Sequence, residues 1–324
     1  MRHILGIDIG GTKCAVILGR VCSSNITMEI LDKIIFPTGV QKTSGYTLDK
    51  ITESLENILN KNCIGINEVE GIGISCGGPL DSKMGIIMSP PNLYGWDNVH
   101  ITEIFENRFG VRTKLLNDAN ACALAEWKFG AARGCRNVIF LTFGTGMGAG
   151  LILDGRLYSG TNDMAGEAGH IRLDVNGPVG YGKSGSFEGF CSGGGIAQLA
   201  RAKALEKLQM GEKVSFCDGI DKLGEINART VGNAAESGDE LAREIYRTSG
   251  FYLGKGLSIL IDILNPEIIV IGSIFARSRE LLWNAAAEIL DRECLSRSLK
   301  ECRIVPAALG ENIGDYAALA AALY

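Results

Sequence analysis

A strand, a glycine-rich turn and a second strand occur twice in this chain of 324 residues. In the first copy, the apolar runs 4–9 and 14–18 flank Gly10-Gly11-Thr12-Lys13, which predicts a β-hairpin. In the second copy, the runs 138–142 and 151–153 flank the glycine turn 144–150. The copies lie about 135 residues apart, and strand patterns alternate with helical patterns around them. The repetition predicts two related α/β halves with a ligand in the cleft that separates them.

Apolar spacing predicts the other elements of the chain. The predicted strands are 28–35, 69–75, 111–116 and 267–272. The predicted helices are 48–59, a helix beginning at Asp118, 195–208, 239–264 and 313–323. The interval 163–195 is rich in glycine without regular periodicity, so it is predicted to be a loop.

Composition and charge exclude several classes of protein. The chain has 43 glycines, 7 prolines and 46% hydrophobic residues, which indicates a globular protein rather than a disordered or collagen-like one. The net charge is −5 and no block of Lys or Arg is present, so nucleic acid is not an expected partner. The most apolar stretch, 252–272, is interrupted by charged residues and proline, and no signal peptide is recognisable at the start. We therefore expect a cytoplasmic protein with no membrane partner.

Ten cysteines are scattered along the chain without a CxxC pair. Most have apolar neighbours, which is typical of small buried thiols in a reducing compartment rather than of a disulfide scaffold.

Both glycine turns have the composition of a phosphate-binding loop. In Asp8-Ile-Gly-Gly-Thr-Lys13, the glycines permit close backbone approach, the Thr12 hydroxyl and Lys13 can donate to phosphate oxygens, and Asp8 can hold magnesium through water. The alternative is a plain hairpin with a glycine turn. Neither turn matches the G-x-x-x-x-G-K-[ST] phosphate loop, and the second precedes a strand where a dinucleotide fingerprint requires a helix.

A set of motifs in a fixed order resembles the ROK family of sugar kinases, within the actin-like (ribonuclease H-like) ATPase superfamily. The motifs are Asp8-Ile-Gly-Gly-Thr-Lys13, Gly77-Gly-Pro-Leu-Asp81, Asn92-Leu-Tyr-Gly-Trp96, Asn117-Asp118-Ala-Asn120, Gly144-Thr-Gly146 with Gly148, Glu167-Ala-Gly-His170, Glu188 and Asn265-Pro-Glu-Ile-Ile-Val-Ile-Gly272. The resemblance implies an α/β fold of two actin-like domains around a central cleft. The small domain would be residues 1–117 completed by a C-terminal helix in 303–324, and the large domain residues 118–302.

The resemblance also assigns roles to residues. Asp118 corresponds to the catalytic base, although its position before a predicted helix is equally that of an N-cap. Asp8 would hold magnesium through water. The ATP-binding residues would be Gly10, Gly11, Thr12, Lys13, Thr142, Gly144, Thr145, Gly146, Gly272 and Ser273. The sugar-binding residues would be Asn92, Asn117, Glu167, His170, Glu188 and Gly77.

The chain departs from the family pattern at two places. Most ROK proteins carry zinc on the E-x-G-H histidine and three cysteines, but Val179, Tyr181 and Ser186 stand at the cysteine positions here. One histidine cannot hold a structural zinc, so we predict none, with the loop held instead by packing through Tyr181 and Phe187. At the second place, Ser273 and Ile274 follow Gly272 where the family has a longer glycine run, which leaves the nucleotide preference open.

The sequence hypothesis is an ATP- and magnesium-dependent kinase for a hexose 6-hydroxyl, with glucose as the first candidate. N-acetylmannosamine, N-acetylglucosamine, fructose, mannose and allose stay open as substrates. A sugar-responsive transcriptional regulator or a non-catalytic sugar sensor is the alternative from another class. The resemblance further implies a homo-oligomer, a dimer or a tetramer.

Overall fold

The computed structural model describes residues 2–22, 27–39 and 43–324. The strands are β1 (Arg2–Ile9), β2 (Lys13–Cys22), β3 (Thr27–Pro37), β4 (Val69–Cys76), β5 (Leu80–Asp81), β6 (Ile86–Ile87), β7 (Val99–His100), β8 (Thr113–Asn117), β9 (Val138–Leu141), β10 (Ala149–Leu153), β11 (Arg156–Tyr158), β12 (Val179–Gly180), β13 (Lys183–Ser184), β14 (Ile268–Ile271) and β15 (Arg303–Pro306). The α-helices are α1 (Ser44–Lys61), α2 (Ile101–Phe109), α3 (Asp118–Phe129), α4 (Phe187–Phe190), α5 (Gly193–Gln209), α6 (Ala228–Glu236), α7 (Glu240–Leu264), α8 (Ile274–Glu293), α9 (Ser296–Glu301) and α10 (Ile313–Ala322).

The chain divides into two compact units. The first consists of residues 1–140, 150–165 and 308–324, and the second of residues 141–149 and 166–307. This division places α3 in the first unit, whereas the predicted boundary at Asp118 assigns that helix to the large domain. The predicted bounds, 1–117 with 303–324 and 118–302, remain a prediction.

The first unit is built on a sheet with the strand order β3-β2-β1-β4-β8. Strands β1 and β2 form the predicted antiparallel hairpin, while β1, β4 and β8 run parallel. The strands alternate their apolar side chains between two buried faces, because α1 covers one face of the sheet and α10 the other. A sheet buried on both faces explains why these strands read as nearly continuous apolar runs.

Helix α10 approaches the sheet closely because glycine replaces side chains on the facing strands. A methyl group added at Gly6 would lie 3.0 Å from the Ala318 Cβ, and one at Gly73 would lie 2.1 Å from the Ala318 carbonyl oxygen. Gly19 meets Leu319 in the same way. Part of the glycine excess therefore serves helix-to-sheet packing.

In the second unit, β14 and β15 run parallel, and the long helices α7 and α8 pack against each other. Strands β12 and β13 form a short hairpin next to the single-turn helix α4. The interval 163–195, predicted as loop, therefore contains short regular elements. The elements missing from the prediction are α2, α4, α6, α8, α9, β15 and the two- or three-residue strands.

The second strand–turn–strand motif is present as predicted. Strands β9 and β10 are neighbours in sheet order and enclose the glycine turn 142–148. The other predicted strands and helices are also found, although β8 begins at Thr113 rather than at 111.

All ten cysteines are free thiols. Six are buried and three are half-buried, as the sequence predicts, while Cys63 is exposed. Within the described ranges, no helix is both long and apolar enough to cross a bilayer.

Candidate active site

Three parallel strands of the first unit end side by side at one edge of the sheet. In the register of the ladder, Ile9 of β1 pairs with Cys76 of β4, and Cys76 pairs with Asn117 of β8. The next residues along the chain are Gly10, Gly77 and Asp118, so three residues predicted for three different roles share one edge. Ligands of open α/β sheets bind at the carboxyl ends of the strands, which makes this edge a candidate active site.

Asp118 begins helix α3 directly after β8. The Ala119 N–H donates to the side-chain oxygens Oδ1 of Asn117 (3.0 Å) and Asp118 (2.8 Å). Asn117 is therefore the N-cap of the helix, and Asp118, its first residue, accepts from the same N–H group. The Asp118 side chain is exposed to solvent, but the protein atoms around its carboxylate desolvate it and raise its pKa, while hydrogen bonds from backbone N–H groups act in the opposite direction. The Ala119 N–H therefore orients the Asp118 carboxylate, while the surroundings of that carboxylate favour proton uptake.

Asp8, the second carboxylate at this edge, lies at the end of β1. Burial raises its pKa to about 6, and the charges of Asp118 and Asp315 act in the same direction, while Lys33 and Lys13 oppose them. Lys33 and the buried Asp315 form an ion pair with an Nζ–Oδ1 distance of 2.5 Å. Three carboxylates and two lysines thus concentrate charge around the end of β1.

The first glycine turn is fixed by its own backbone and by Thr38. The Gly10 N–H donates to the Lys13 carbonyl at 3.0 Å, and the Thr38 N–H donates to the Thr12 carbonyl at 3.0 Å. The Thr38 hydroxyl, which is buried, donates to the Gly10 carbonyl. Thr12 and Lys13 are left exposed, so their side chains are accessible to a ligand.

Gly11 brings the turn against a predicted sugar-binding residue. A methyl group at Gly11 would lie 2.7 Å from the Asn92 Cβ and 2.8 Å from its carbonyl oxygen. On the other side of the edge, one at Gly78 would lie 3.5 Å from the Asn117 Nδ2. The structure therefore brings Asn92 to the turn and Asn117 to the Gly77-Gly78 segment, at the edge that also carries Asp8 and Asp118.

The second glycine turn belongs to the second unit and is held by hydrogen bonds within itself. The Thr142 hydroxyl accepts from the Gly148 N–H at 2.8 Å, and the Gly144 N–H donates to the Gly146 carbonyl at 3.1 Å. The predicted ligand Thr142 therefore uses its hydroxyl to close the turn. Thr145 at the tip is exposed.

The first residues of two helices border this turn. The Gly193 N–H at the start of α5 donates to the Gly144 carbonyl at 2.7 Å. The Ile274 N–H at the start of α8 donates to the Phe143 carbonyl at 2.9 Å, and Ser273 Oγ lies 3.7 Å from a methyl group built on Gly144. Gly272 and Ser273 thus lie beside the second turn, and their role in binding ATP stays a prediction.

Glu188 is tied to the second turn rather than being a solvated loop residue. Its Oε2 accepts from the Met147 N–H at 2.9 Å, and a methyl group at Gly146 would lie 2.7 Å from the same oxygen. Gly169 packs on the Met147 carbonyl and near the Glu188 Cβ, so the segment with the exposed residues Glu167 and His170 comes to this carboxylate. The structure therefore groups Glu167, His170 and Glu188 in the second unit.

The residues at the zinc positions do not fit a zinc ion. The Ser186 hydroxyl accepts from the Gly189 N–H at 3.1 Å as the cap of α4, Val179 has no donor in its side chain, and Tyr181 presents a ring edge-on to His170 at 6.4 Å. Zinc in structural sites requires four N or S ligands. Of the predicted packing contacts, Phe187 is buried against Gly256 of α7, whereas Tyr181 is 76% exposed and the prediction for it was wrong.

The carboxylates Asp8 and Asp118 fit magnesium better. Carboxylate oxygens suit this hard cation, and a divalent ion would relieve the mutual repulsion of the two charges. Over the described ranges, no three His, Cys, Asp or Glu residues are grouped to bind a metal, so a dedicated protein cage is absent there. Magnesium is commonly held by one or two carboxylates together with water and substrate phosphates.

The chain is similar to known proteins over almost its whole length. A family model described as ROK family matches residues 4–323. The glucokinase of Halalkalibacterium halodurans is 30% identical over 315 residues, covering 97% of this chain and 92% of that protein. The structure of a ROK family glucokinase from Streptomyces griseus, in complex with glucose and AMPPNP, is 27% identical with a TM-score of 0.78 and 99% coverage of both chains. The xylose repressor of Bacillus spizizenii is 30% identical over 243 residues, which are 75% of this chain and 58% of the repressor.

The fold and its solved neighbours define a mixed α/β protein of the class built from two actin-like domains. The chain belongs to the ROK family. The resemblance read from the motifs and the predicted fold class are therefore confirmed.

Sequence reasoning missed Thr38, Lys33 and Asp315 at the first site. Asp315 had a detectable signal, because it is a charged residue in the otherwise apolar pattern of α10. Thr38 and Lys33 had none, since their importance comes from contacts across the sheet.

Proposed function

We propose that the protein transfers the γ-phosphoryl group of ATP to the 6-hydroxyl of a hexose, with glucose as the first candidate. The observation that supports this most directly is the edge of the first sheet, where Asp118 and Asp8 stand beside a glycine turn. The glucokinase relatives make phosphoryl transfer to a sugar the matching reaction.

In this proposal Asp118 is the general base. Its carboxylate is oriented by the Ala119 N–H, and its raised pKa keeps it a stronger base than an ordinary aspartate. Asp118 would accept the proton of the sugar hydroxyl as oxygen attacks the γ-phosphorus and the bond to the ADP oxygen breaks. A base in this role contributes roughly 10²- to 10⁴-fold to the rate.

Both glycine turns would bind phosphate oxygens, through backbone N–H groups of Gly10–Gly11 and Gly144–Gly146 and through the side chains of Thr12, Lys13 and Thr145. Gly272 and Ser273 would adjoin the nucleoside. Magnesium, when held by Asp8 through water, would neutralise phosphate charge. The sugar would be oriented by Asn92, Asn117, Glu167, His170, Glu188 and Gly77.

Several other sugars compete with glucose as the proposed substrate. N-acetylmannosamine, N-acetylglucosamine, fructose, mannose and allose share the 6-hydroxyl chemistry. The similarity to a xylose repressor keeps a non-catalytic sugar sensor as the second candidate.

The test is ADP release from MgATP with a panel of these sugars, run for the wild type, Asp118→Asn and the control Asp291→Asn, which changes an exposed aspartate of α8. We expect turnover with one sugar, a drop of about 10²-fold or more in kcat for Asp118→Asn, and wild-type turnover for the control. Calorimetric binding of a sugar without any turnover would overturn the kinase and favour the sensor.

A further inference from the structure

The segment between His170 and Ser192 is held by hydrogen bonds and packing that involve no metal, and Gln198 contributes contacts that the sequence did not indicate. Gln198 lies in the second turn of α5 and is half-buried. Its Oε1 accepts from the Val179 N–H at 2.9 Å, and its Nε2 donates to the Val179 carbonyl at 2.8 Å. One side chain thus satisfies both backbone groups of Val179, which the resemblance places at one of the three cysteine positions.

Val179, the residue that Gln198 holds, belongs to a strand that packs against Glu188. Val179 and Gly180 form β12, and a methyl group at Gly180 would lie 2.8 Å from the Glu188 Cβ and 2.7 Å from the Gly189 nitrogen. This contact leaves no room for β12 to shift without moving α4. Fixing Val179 therefore fixes the backbone that carries the Glu188 carboxylate.

Glu188 and the start of α5 both form hydrogen bonds with the second glycine turn. Glu188 accepts from the Met147 N–H at 2.9 Å, and Gly193 at the start of α5 donates to the Gly144 carbonyl at 2.7 Å. Helix α5, Gln198, β12, α4 and the turn 142–148 consequently form a closed ring of contacts. A closed ring restrains Glu188 relative to the turn far more than a free loop would.

Further bonds within the segment also involve no metal. The Arg172 guanidinium donates to the Ser184 carbonyl at 2.7 Å, and the Leu173 N–H donates to the Gly185 carbonyl at 2.8 Å. The Tyr252 hydroxyl of α7 donates to Asp174 at 2.6 Å. These bonds anchor the start of the segment, while Gln198 anchors its middle.

We propose that Gln198 is a positioning residue that holds β12 and thereby Glu188 on the second glycine turn, taking the structural place of the family's metal. The part of the inference that concerns sugar binding rests on the proposed function, in which Glu188 contacts the sugar. The part that concerns the segment's order is independent of it.

The first experiment measures amide hydrogen exchange in peptides covering 171–192 for the wild type and Gln198→Leu. The control is Gln209→Leu, the same change at an exposed position in the last turn of α5. We expect exchange in 179–190 to accelerate about tenfold in Gln198→Leu and not in the control, as the loss of the clamp predicts. Gln198→Glu, which keeps an acceptor for the Val179 N–H but loses the donor to its carbonyl, should give a smaller acceleration. Unchanged exchange in Gln198→Leu would overturn the proposal, whether or not the wild type phosphorylates any sugar.

The second experiment separates positioning from general stability. In Gln198→Leu we expect the KM for the accepted sugar to rise about tenfold while the KM for ATP stays within twofold; parallel loss of both would contradict a role at Glu188. Metal analysis and exchange of the wild type with and without EDTA complete the test. Stoichiometric zinc, or faster exchange of 171–192 in EDTA, would overturn the metal-independent clamp.

Discussion

The backbone of Ser273 adopts φ 57° and ψ −114°, a conformation open to glycine but costly for a residue with a Cβ atom. Such strain costs on the order of 1–3 kcal/mol and tends to occur at functional sites. Ser273 stands beside the second glycine turn, where its hydroxyl is also near the Arg277 guanidinium at 3.5 Å.

Replacing Ser273 by glycine should therefore stabilise the protein by about 1–3 kcal/mol, measured by chemical denaturation. The matched control is Asn265→Gly at the end of α7, where φ 44° and ψ 57° fall in the left-handed region that asparagine tolerates. A gain in the control as large as that in Ser273→Gly would show that the strain at Ser273 is not the cause.

Asp8 gives a second prediction at the scale of single residues, in the pH dependence of stability. Because its pKa is raised to about 6 in the folded chain, the folded state retains a proton that the unfolded state has released. Stability contributed by this group is present below pH about 4 and is lost as the pH rises to about 6, a difference of about 3 kcal/mol at most.

We expect the stability of Asp8→Asn relative to the wild type to increase between pH 4 and pH 6 and then to level off, measured as unfolding free energy without magnesium. The exposed Asp291, changed to asparagine, serves as the control. A stability difference between Asp8→Asn and the wild type that does not vary with pH would contradict the assignment.

At the scale of elements, two glycines of α7 allow this helix to pack closely against α8. A methyl group at Gly250 would lie 2.3 Å from the Leu282 carbonyl oxygen, and one at Gly254 would lie 2.6 Å from that of Ala286. Both obstacles are backbone atoms of a long helix, which cannot move aside as a flexible side chain can.

Gly250→Ala should therefore destabilise the protein by about 1–3 kcal/mol in thermal or chemical denaturation, although alanine is the better helix former. Gly224→Ala is the matched control, because a methyl group there meets nothing within 4 Å. Equal stability of the two variants would mean that α7 and α8 adjust to the added methyl group.

Local patterns predicted much of the fold but not the contacts between elements. The strands of the first hairpin and helix α7 were predictable from apolar spacing, and α8 was within reach, since Leu282, Ala286 and Ile289 recur at helical intervals. The roles of Gly6 and Gly250 in packing were not predictable, because a close approach exists only once two elements have met.

The same limit applies to the candidate site. Asp8 and Asp118 could be predicted because a strand end marks each of them in the sequence. Gln198 and Lys33 could not be predicted, since the residues next to them in the sequence do not indicate that they contact Val179 and Asp315.

At the scale of the whole molecule, the first compact unit draws on segments from both ends of the chain. Glu126 of α3 links two of these segments by hydrogen bonds. The side chain is fully buried and accepts from the Ala131 N–H at 2.7 Å and from the Leu309 N–H at 2.9 Å, just ahead of α10.

Glu126→Ala should destabilise the first unit by about 3 kcal/mol, because two buried N–H groups lose their acceptor. Hydrogen exchange should show the loss in α3 and α10 before it appears in α7. The control is Glu288→Ala, at an exposed position of α8. If hydrogen exchange in α10 is the same in Glu126→Ala as in the wild type, Glu126 does not link these segments.

The order in which the chain is synthesised gives the close packing of α10 on the sheet a further consequence. Gly6 and Gly73 are made early, but Ala318, the residue they accommodate, belongs to the last helix. Contacts of such long sequence separation form slowly and carry a high loop-closure cost. A growing chain on the ribosome therefore cannot cover this glycine-lined apolar face of the sheet until α10 has emerged.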